Sequence, residues 1–550
     1  MANDNEIAFP SLTPQEIEGL SRFGKARAVE AGEILFAEGD RSFCFFVVLE
    51  GGIEIFSHAG TGEQQIVVHG PAQFTGDVDM LTGRAALVTA RATQAGRVMQ
   101  LGADVLRRAV AGLPETGEKI LKAFLTRRTM LLSSGFVGIK IVGSRYSPEA
   151  HRLCDFAMRN QIPFTWIDLE QDAQAEALLR QFNIATSATP VVITRDGQLL
   201  TRPTVADLAH RMGLDVALDP TDVYDVVVVG GGPAGLAASV YAASEGLKTI
   251  TFDAVAAGGQ AGTSSRIENY LGFPTGISGA DLTRNALLQA QRFGAQISVP
   301  ENVIGLRLEA GERVLALENG EEVRARCVIV ASGVEYGRLD VDRFSEFEGA
   351  GIYYAATEME ARLCRDEEIV IVGAGNSAGQ AIVYLSRQAR RVHVVLRGDD
   401  LGKSMSRYLV DRVECLPNVV IHKVCNVTAL EGNGHLGGLT LSHGDGREEK
   451  IQTNALFLFI GAAPHTGWLR GCVQLDAKGF VLTGDSIPRE ALNDDAWRIA
   501  ARLPRLLETS LPGVFAAGDA RSGSVKRVAS AVGEGSMAIS MVHAHLGPRA

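Results

Sequence analysis

Residues 224–254 read YDVVVVGGGPAGLAASVYAASEGLKTITFDA and decide the fold of the C-terminal part of the chain. Four valines form an apolar strand that runs into Gly230-x-Gly232-x-x-Gly235, and the residues that follow predict a helix and a second strand ending at Asp253. The glycines allow a tight turn and a close approach of the backbone to a pyrophosphate, whose charge the helix N-terminus stabilises. The acid can bind a ribose hydroxyl. The stretch therefore predicts a Rossmann-type dinucleotide site.

The same architecture returns at residues 367–398, EEIVIVGAGNSAGQAIVYLSRQARRVHVVLRG. Here the glycine positions are Gly373 and Gly375, and Ala378 takes the third place. Two such motifs predict two dinucleotides, and the obvious pairing is FAD with a nicotinamide nucleotide.

Two cations bear on the choice between NADPH and NADH. Arg397 follows the second strand of the second motif, where a 2′-phosphate would lie, and Lys403 is near in sequence. The pattern favours NADPH and leaves NADH open. The alternative is that Arg397 is a solvated charge at the end of a strand.

A third motif lies near the C-terminus, in LPGVFAAGDARSG at residues 511–523. The apolar strand ends in Gly518-Asp519, where an acid can meet the ribityl chain of a flavin. Alone this is a common strand-turn pattern, but after two dinucleotide motifs it supports FAD as the first cofactor.

Composition bounds the remaining possibilities. The 550 residues suggest three or four domains, and a net charge of −11 with a pI near 5.6 argues against a nucleic-acid partner. The seven cysteines are scattered and never spaced as CxxC, which predicts no metal site and fits the reducing cytoplasm. Residues 226–243 are apolar, but a Gly-Gly-Gly-Pro break favours strand, turn and helix over a membrane span.

Two further regions precede the first motif. Residues 12–130 give short strands separated by glycine turns, typical of a β-sandwich or barrel, and then a helix over Ala103–Arg128. Residues 137–216 alternate strands with helices over Pro148–Asn160 and Gln174–Phe182. The predicted fold class is a multidomain chain: an N-terminal β domain with helices, a middle α/β domain, and a C-terminal α/β module with two Rossmann-type sites.

Residues 222–550 resemble the low-molecular-weight thioredoxin reductases of the pyridine nucleotide–disulfide oxidoreductase family. The motifs that carry the resemblance are, in order, GGGPAG, AGGQAGTSSRIENYLGFP, VIVASGVEYG, VGAGNSAG, LFIGAAPHT and VFAAGDARSGSVKRVASAVGEGSMAI. The resemblance implies an FAD domain in two parts, 222–340 and 456–550, an NAD(P)H domain at 341–455, and a homodimer.

The resemblance also implies site residues for each cofactor. For FAD they are Gly230, Gly232, Gly235, Asp253, Gly259, Gln260, Asn269, Ala331, Gly333, Gly518, Asp519, Arg527, Val528 and Ala529. For NADPH they are Gly373, Gly375, Asn376, Ser377, Ala378, Arg397, Lys403 and Gly461.

The disulfide motif of that family, C-A-T-C, is absent. This chain has Ala355-Ala356-Thr357-Glu358 in its place, and thiol–disulfide exchange needs a thiolate and a resolving partner. Cys364 could be proposed as a substitute, but we expect it at the start of a buried strand and inert. Glu358 is a candidate proton donor near the flavin, with an exposed loop glutamate as the alternative. The phosphate-binding H-R-R pattern is also reduced, to Leu396-Arg397-Gly398.

Residues 137–216 resemble the thioredoxin or glutaredoxin fold, on VGIKIVGSRYSPEAHRLCDFAMRNQIPFTWIDLE and on Ala188-Thr189-Pro190. In that fold Pro190 would be the cis-proline, and the CxxC would fall at Ser147-Pro148-Glu149-Ala150. A serine hydroxyl has no redox chemistry, so this domain is predicted to be redox-silent. We expect Cys154 to be a core residue, with a thiol role as the alternative.

Residues 12–130 resemble a cyclic nucleotide-binding domain. The resemblance rests on residues 32–40, GEILFAEGD, on residues 46–52, FVVLEGG, and on Phe74-x-Gly76-Asp77. In that family a Gly-Glu pair holds the ribose and an arginine neutralises the cyclic phosphate. Here the acid is Asp77, and the arginine position falls near Ala86, with Arg84 two residues early. A cyclic-nucleotide site formed by Gly76, Asp77 and Arg84, and a degenerate domain that binds none, both remain open.

Three functions are compatible with the sequence. The first is an FAD-dependent NAD(P)H oxidoreductase whose flavin passes electrons directly to an acceptor that no motif names. The second is thioredoxin-disulfide reduction through a non-standard thiol. The third is a flavin-based redox or nucleotide sensor with little turnover.

Overall fold

The computed structural model describes residues 2–59, 62–77, 79–133, 138–172, 175–182, 184–194, 197–493 and 495–547. It forms two compact units. One comprises Met1–Val142, Gln161–Val216 and Gln291–Gly294, and the other comprises Gly143–Asn160, Ala217–Ala290 and Ala295–Ala550. The stretch 137–216 is therefore divided, because Gly143–Asn160 packs with the C-terminal unit.

The N-terminal region is built of two antiparallel sheets, of order β1-β7-β3 and β2-β6-β4-β5, which agrees with the predicted β domain. Its core includes the rings of Phe45, Phe74 and Phe124, with centroids 5.5–6.3 Å apart. The elements are α1 (Ala2–Ala8), α2 (Pro14–Ser21), β1 (Lys25–Val29), β2 (Ile34–Phe36), β3 (Phe45–Glu50), β4 (Ile53–Ala59), β5 (Gly62–His69), α3 (Asp79–Thr82), β6 (Thr89–Ala92), β7 (Gly96–Leu101), α4 (Ala103–Gly112) and α5 (Pro114–Ser133).

The single helix predicted over Ala103–Arg128 is wrong. The structure has two helices, which separate at Leu113, the C-cap of α4. The following residue, Pro114, begins α5, because proline disfavours a helical conformation in the residue before it but suits the first turn of a new helix.

The middle region forms a four-stranded sheet of order β11-β10-β8-β9, in which β10 is antiparallel to both neighbours. The Thr189–Pro190 peptide bond is cis, as the resemblance predicts. The two predicted helices are present as α6 and α7. The elements are β8 (Ile139–Gly143), α6 (Pro148–Arg159), β9 (Phe164–Asp168), α7 (Ala175–Gln181), β10 (Val191–Ile193), β11 (Leu199–Thr201) and α8 (Val205–Met212).

The first dinucleotide domain has a sheet of order β14-β13-β12-β17-β16-β15, with β28 also paired to β17. Strands β14, β13, β12, β17 and β28 are parallel, so their carboxyl ends meet at one edge. Its elements begin with β12 (Val223–Val229), α9 (Pro233–Ser244), β13 (Thr249–Phe252), α10 (Gly259–Gly262), α11 (Gly279–Arg292), β14 (Gln296–Ser298), β15 (Val303–Glu309), β16 (Glu312–Leu317) and β17 (Glu322–Val330).

The second dinucleotide domain has a five-stranded parallel sheet of order β19-β26-β20-β21-β22 and an antiparallel sheet of order β23-β24-β25. The elements are β18 (Val334–Tyr336), α12 (Phe344–Phe347), β19 (Ile352–Tyr353), α13 (Glu358–Leu363), β20 (Glu368–Val372), α14 (Asn376–Leu385), β21 (Arg391–Val395), α15 (Arg407–Glu414), β22 (Val419–His422), β23 (Cys425–Gly432), β24 (Leu436–His443), β25 (Glu448–Gln452) and β26 (Leu456–Leu458).

The boundary placed between residues 455 and 456 falls inside this second domain. Strand β26 pairs with β20 and β19, so it completes the second sheet and does not begin the return to the first domain. The next strand, β27 (Ala462–Pro464), pairs with β18 in a separate two-stranded sheet, and the chain rejoins the first sheet at Val514–Ala516, which pairs with β17. The last elements are α16 (Asp495–Ala500), β28 (Val514–Ala516) and α17 (Val528–Leu546).

Short 3₁₀ turns connect several of these elements. They cover Thr186–Ala188, Leu401–Lys403, Gly467–Leu469, Gly484–Ser486, Arg489–Leu492 and Gly518–Ala520. None of the described helices is long and apolar enough to cross a membrane.

Candidate functional site

A cleft of about 640 Å³ lies at the carboxyl ends of the parallel strands of the first domain. Such a volume suits a cofactor-sized ligand. Every residue proposed for FAD lines this cleft except Gly235: Gly230, Gly232, Asp253, Gly259, Gln260, Asn269, Ala331, Gly333, Gly518, Asp519, Arg527, Val528 and Ala529.

The three glycines of the first loop have different reasons to be glycine. A Cβ on Gly230, which has φ +107°, would lie 2.2 Å from the Ala331 carbonyl oxygen. A Cβ on Gly235 would lie 1.8 Å from the Gly230 carbonyl oxygen, so Gly235 serves the packing of helix against strand. A Cβ on Gly232 would meet only the Gly259 Cα, at 3.9 Å. The open space before Gly232, at the N-cap of α9, fits a pyrophosphate.

Asp253 is held in place by the loop it faces. Its Oδ2 accepts a hydrogen bond of 2.7 Å from the Gly231 amide, and its Oδ1 accepts from the Val255 and Ala256 amides at 2.9 Å each. The carboxylate is thus fixed at the end of β13, the position from which an acid binds a ribose hydroxyl.

The Gly518-Asp519 turn is fixed by a buried glutamate. The Gly518 amide donates to Glu534 Oε2 at 2.7 Å, and Glu534 is paired with Arg521 at 2.5 Å. Burial raises the pKa of Asp519. Lys526, whose Nζ donates to the Asp519 carbonyl at 2.5 Å, adds a positive charge that lowers this pKa.

The second glycine loop opens toward the same cleft. Asn376, Ser377 and Gln380, at the start of α14, line it together with Tyr336 from β18. Burial raises the pKa of Tyr336, and a hydrogen bond with Ser377 opposes that shift. A Cβ on Gly375, the N-cap of α14, would meet nothing within 4 Å, which leaves room for a second pyrophosphate.

An ion pair joins the two dinucleotide domains beside the cleft. Arg412 of α15 lies 2.8 Å from Glu268, which belongs to the first domain. Residues of both domains, such as Asp253 and Asn376, line the same cleft.

The other residues proposed for NADPH lie outside the cleft. Gly373 and Ala378 serve packing: a Cβ on Gly373 would lie 2.6 Å from the Phe459 carbonyl oxygen, and Ala378 is in the core. Arg397 is exposed. Lys403 is also exposed and pairs with Asp399 at 2.6 Å. Gly461 accepts the Gly337 amide at 2.8 Å, beside the β18–β27 pair.

Sequence reasoning missed several residues of the cleft. His465 and Trp468 follow β27, and the motif LFIGAAPHT already contained His465. Arg159, at the end of α6, also lines the cleft, and the Asn160 side-chain amide donates to the Val255 carbonyl at 3.1 Å. No local signal marks Arg159, because it is far in sequence from both glycine loops.

The segment that replaces the disulfide motif is not part of the described lining of the cleft. Thr357 caps α13 and Glu358 begins it; the side chain of Glu358 lies outside the described part, so its role as proton donor stays a prediction. Cys364 is the C-cap of α13 and not the start of a strand, contrary to expectation, although it is fully buried. Burial raises the pKa values of Cys364 and Cys154 far above that of a free thiol.

The N-terminal domain holds a separate cavity of about 530 Å³, lined mainly by apolar side chains. Gly76, Asp77 and Ala86 line it, but Arg84 does not and lines a second cavity instead. Burial and the neighbouring Asp79 raise the pKa of Asp77 to about 7. Gly76 and Asp77 thus line one cavity and Arg84 lines another, although Arg84 is close enough to Asp77 for their charges to interact.

The cation in this cavity comes from α5. Arg127 is buried there, and its Nε and Nη1 donate to the Ala8 and Gly76 carbonyls at 2.7 Å each. Its guanidinium also lies over the rings of Phe9 and Phe74. Two of its nitrogens are thus bonded to the protein, while its buried Nη2 has no hydrogen-bond partner among the described residues.

Comparison with known proteins gives matches in both units. A family described as "Pyridine nucleotide-disulphide oxidoreductase" matches residues 224–535, and one described as "Cyclic nucleotide-binding domain" matches residues 26–112. Thioredoxin reductase of Streptomyces clavuligerus is 32% identical over 317 residues, which are 57% of this chain and 91% of that protein.

Two further similarities cover the same region. NADPH-dependent thioredoxin reductase 3 of Arabidopsis thaliana is 32% identical over 324 residues, 58% of this chain and 57% of that protein. The crystal structure of T. acidophilum thioredoxin reductase has 28% identity and a TM-score of 0.51, and it aligns with 59% of this chain and 99% of that one.

Proposed function

The chain belongs to the family of pyridine nucleotide-disulphide oxidoreductases, and we propose that it is an FAD-dependent NAD(P)H oxidoreductase that reduces its acceptor without a dithiol. One observation carries the proposal. Residues of both dinucleotide domains line a single cleft, and no cysteine is among its described lining residues. When bound, the nicotinamide and flavin supply hydride transfer; the protein supplies binding and orientation.

The first domain binds FAD through backbone groups and one acid. Gly232 and the N-terminus of α9 face the pyrophosphate, Asp253 binds the ribose, and Asp519 meets the ribityl chain. Because Gly518 and Asp253 are held by Glu534 and the loop amides, these groups are positioned before the cofactor arrives.

Arg159 adds a contact that the family motifs do not contain. It lines the cleft beside Asp253, Ala254 and Val255, the segment that follows β13 and binds the adenosine half of a dinucleotide. The bond from Asn160 to Val255 fixes the end of α6 at this place. A guanidinium there binds the adenylate part of FAD by charge and by stacking.

The nicotinamide nucleotide binds from the second domain. Gly375 and the N-terminus of α14 hold its pyrophosphate, while Asn376 and Ser377 direct it into the shared cleft. Tyr336, which keeps its proton because burial raises its pKa, orients Ser377 through their hydrogen bond. Arg397, exposed after β21, reads the 2′-phosphate, so NADPH is preferred over NADH.

Reduction of thioredoxin through another thiol is the weaker candidate. Cys364 and Cys154 are buried, and their raised pKa values keep them protonated at neutral pH, whereas exchange requires a thiolate. The relatives are named thioredoxin reductases, but the residues that would pass electrons to a disulfide are absent at Ala355 and Glu358.

The cellular compartment, the oligomeric state and the regulation of the enzyme are proposed on separate grounds. All seven cysteines are free, which supports a reducing cytoplasm. The homodimer is proposed only from the resemblance of residues 222–550 to the thioredoxin reductases. The N-terminal domain belongs to a fold whose members bind cyclic nucleotides, and a nucleotide that bound there could regulate turnover.

Steady-state oxidation of NADPH with different acceptors tests the proposal. We expect rapid turnover with a quinone or dye acceptor and none with thioredoxin or DTNB. Thioredoxin reduction that Cys364→Ser or Cys154→Ser abolishes would show that a relocated thiol operates. Slow turnover with every acceptor would favour a sensor.

A further inference from the structure

A cluster of histidines lies in the second dinucleotide domain and takes no part in the proposed reaction. His422 ends β22, His443 ends β24, and Glu449 lies in β25. One ligand atom from each lies within 4.8 Å of the others. The side chains of His422 and His443 are 6% and 10% exposed and that of Glu449 is 31% exposed, so two buried imidazoles meet a carboxylate that solvent can reach.

A chain of hydrogen bonds sets the tautomer of His422. His393 Nε2 lies 3.3 Å from Glu368 Oε2, and a neutral His393 donates a hydrogen bond from Nε2–H to that carboxylate. His393 Nδ1 is then an acceptor, and it accepts a hydrogen bond from His422 Nε2–H at 3.0 Å. The lone pair of His422 therefore lies on Nδ1, which is 3.9 Å from Glu449 Oε2.

The ring nitrogen Nε2 of His443 faces the same carboxylate. It lies 3.0 Å from Arg447 Nη2, which can only donate, and 3.1 Å from Glu449 Oε2. With its proton on Nδ1, His443 accepts from Arg447 and offers a lone pair beside those of His422 and Glu449. With its proton on Nε2 it donates to Glu449 instead, and metal binding requires the first tautomer. Arg447 places a positive charge beside the cluster, with Nη1 at 3.0 Å from Glu449, and its side chain is 57% exposed.

We infer that His422, His443 and Glu449 form a binding site for a divalent transition-metal ion of the Zn²⁺ class. Two imidazoles and a carboxylate are ligands that zinc takes, at about 2.0–2.2 Å, which sets the ligand atoms about 3.3 Å apart. The separations of 3.1 and 3.9 Å are close to this value, and the widest of the three, which lies within 4.8 Å, must shorten by up to about 1.5 Å. The Glu368–His393–His422 chain is the second shell that orients a metal-binding imidazole.

The site would tie two sheets of this domain together. His422 lies in the parallel sheet, whereas His443 and Glu449 belong to the antiparallel sheet of β23, β24 and β25. The bound ion takes the place of the Arg447 guanidinium, and solvent supplies the remaining ligand. Cysteine spacing alone predicted no metal site, and it could not detect ligands that come from three separate strands.

Zinc binding by the full-length protein tests the site at pH 7.5, after treatment with a chelator. Titration with ZnCl₂ in a calorimeter, and with CoCl₂ in a spectrophotometer, should show one ion per chain and the visible band of four-coordinate cobalt. His443→Ala and Glu449→Gln should each weaken zinc binding about 100-fold, and Glu368→Gln about tenfold. His210→Ala removes an exposed histidine of the other unit and should change nothing.

The variant Arg447→Ala distinguishes a metal ion that replaces the Arg447 guanidinium from a cluster in which Arg447 is the permanent cation. If the ion replaces the guanidinium, this variant binds zinc several-fold more tightly than the wild type, because a competing cation has been removed. If Arg447 is the permanent cation of the cluster, the wild type binds no zinc at micromolar concentrations. That result, or equal affinities in wild type, His443→Ala and Glu449→Gln, would overturn the inference.

Discussion

The two glycine-rich loops share a backbone pattern but differ in what surrounds them. Around the first loop, residues from distant parts of the chain close a single cleft: Asp253 after β13, Asp519 after β28, and Arg159 at the end of α6. Around the second, the charge proposed to select the nucleotide, Arg397, is exposed. The difference matches two kinds of cofactor, one retained and one exchanged at each turnover.

Within each loop, the glycines have two different roles. In both loops one glycine is required by the protein, since a Cβ on Gly230 or Gly373 would collide with a carbonyl oxygen. Another, Gly232 or Gly375, faces open space that only a ligand would fill. Substitution of the second kind therefore tests cofactor binding without breaking the fold.

The largest expected effect is that of Gly232→Val. A side chain there enters the pyrophosphate space, and we expect FAD affinity to fall at least about 100-fold, so that the protein purifies colourless. The ratio of flavin to protein absorbance measures the loss, and circular dichroism should show an intact fold.

Gly375→Val is the matched control in the second loop. It should remain yellow but resist bleaching by NADPH under anaerobic conditions. Retention of FAD by Gly232→Val, or its loss from Gly375→Val, would break the assignment of the two loops.

The second-largest effect is expected at Arg159, which lies at the end of α6 and lines the cofactor cleft. Arg159→Ala should weaken FAD binding about ten- to a hundredfold, the value of a charge-assisted contact. FMN lacks the adenylate part, so its affinity for the apoprotein should not change. Asp155→Ala removes the neighbour paired with Arg159 at 3.7 Å and should retain FAD. Equal losses for FAD and FMN would indicate a general disturbance and not a contact to adenylate.

A smaller effect is expected in the second loop, because Arg397 is exposed and water screens its charge. Arg397→Ala should raise the KM for NADPH about tenfold and leave that for NADH nearly unchanged. Lys403→Ala should do less, because Asp399 already holds that ammonium group. If both coenzymes respond equally to Arg397→Ala, the guanidinium does not read the 2′-phosphate.

The smallest effect should come from cyclic nucleotides. A cyclic phosphate in the N-terminal cavity would lie near Asp77 with Ala86 in place of the family's arginine, and Arg84 lines another cavity. We expect no change in turnover or melting temperature with cyclic AMP or cyclic GMP up to about 1 mM. A response at micromolar concentrations would show that Arg127 or Arg84 rearranges to neutralise the phosphate.

The sequence was sufficient for features that are encoded locally. Both strand–glycine–helix units, the cis bond at Pro190 and the core position of Cys154 follow from neighbouring residues or from a family pattern. Most of the FAD cleft could also be named, because the family motifs occur in a fixed order along the chain.

The remaining features depend on contacts distant in sequence. Arg159 reaches the cleft only because α6 packs with the C-terminal unit, and nothing near residue 159 indicates this. Strand β26 was placed in the wrong domain because a three-residue apolar strand fits either sheet. The position of Arg84 was equally hidden, since it lines a cavity together with residues as distant in sequence as Ile162 and Leu214.

The most direct test of the central claim is an anaerobic reductive titration of the FAD-loaded wild type. With Ala355 and Glu358 in place of two cysteines, the flavin is the only two-electron centre that the proposed function contains. We predict complete bleaching by one equivalent of reductant, two electrons per FAD, with no long-wavelength thiolate–flavin band. Uptake of four electrons per FAD together with such a band would contradict the account, because it would show that a dithiol accepts electrons from the flavin.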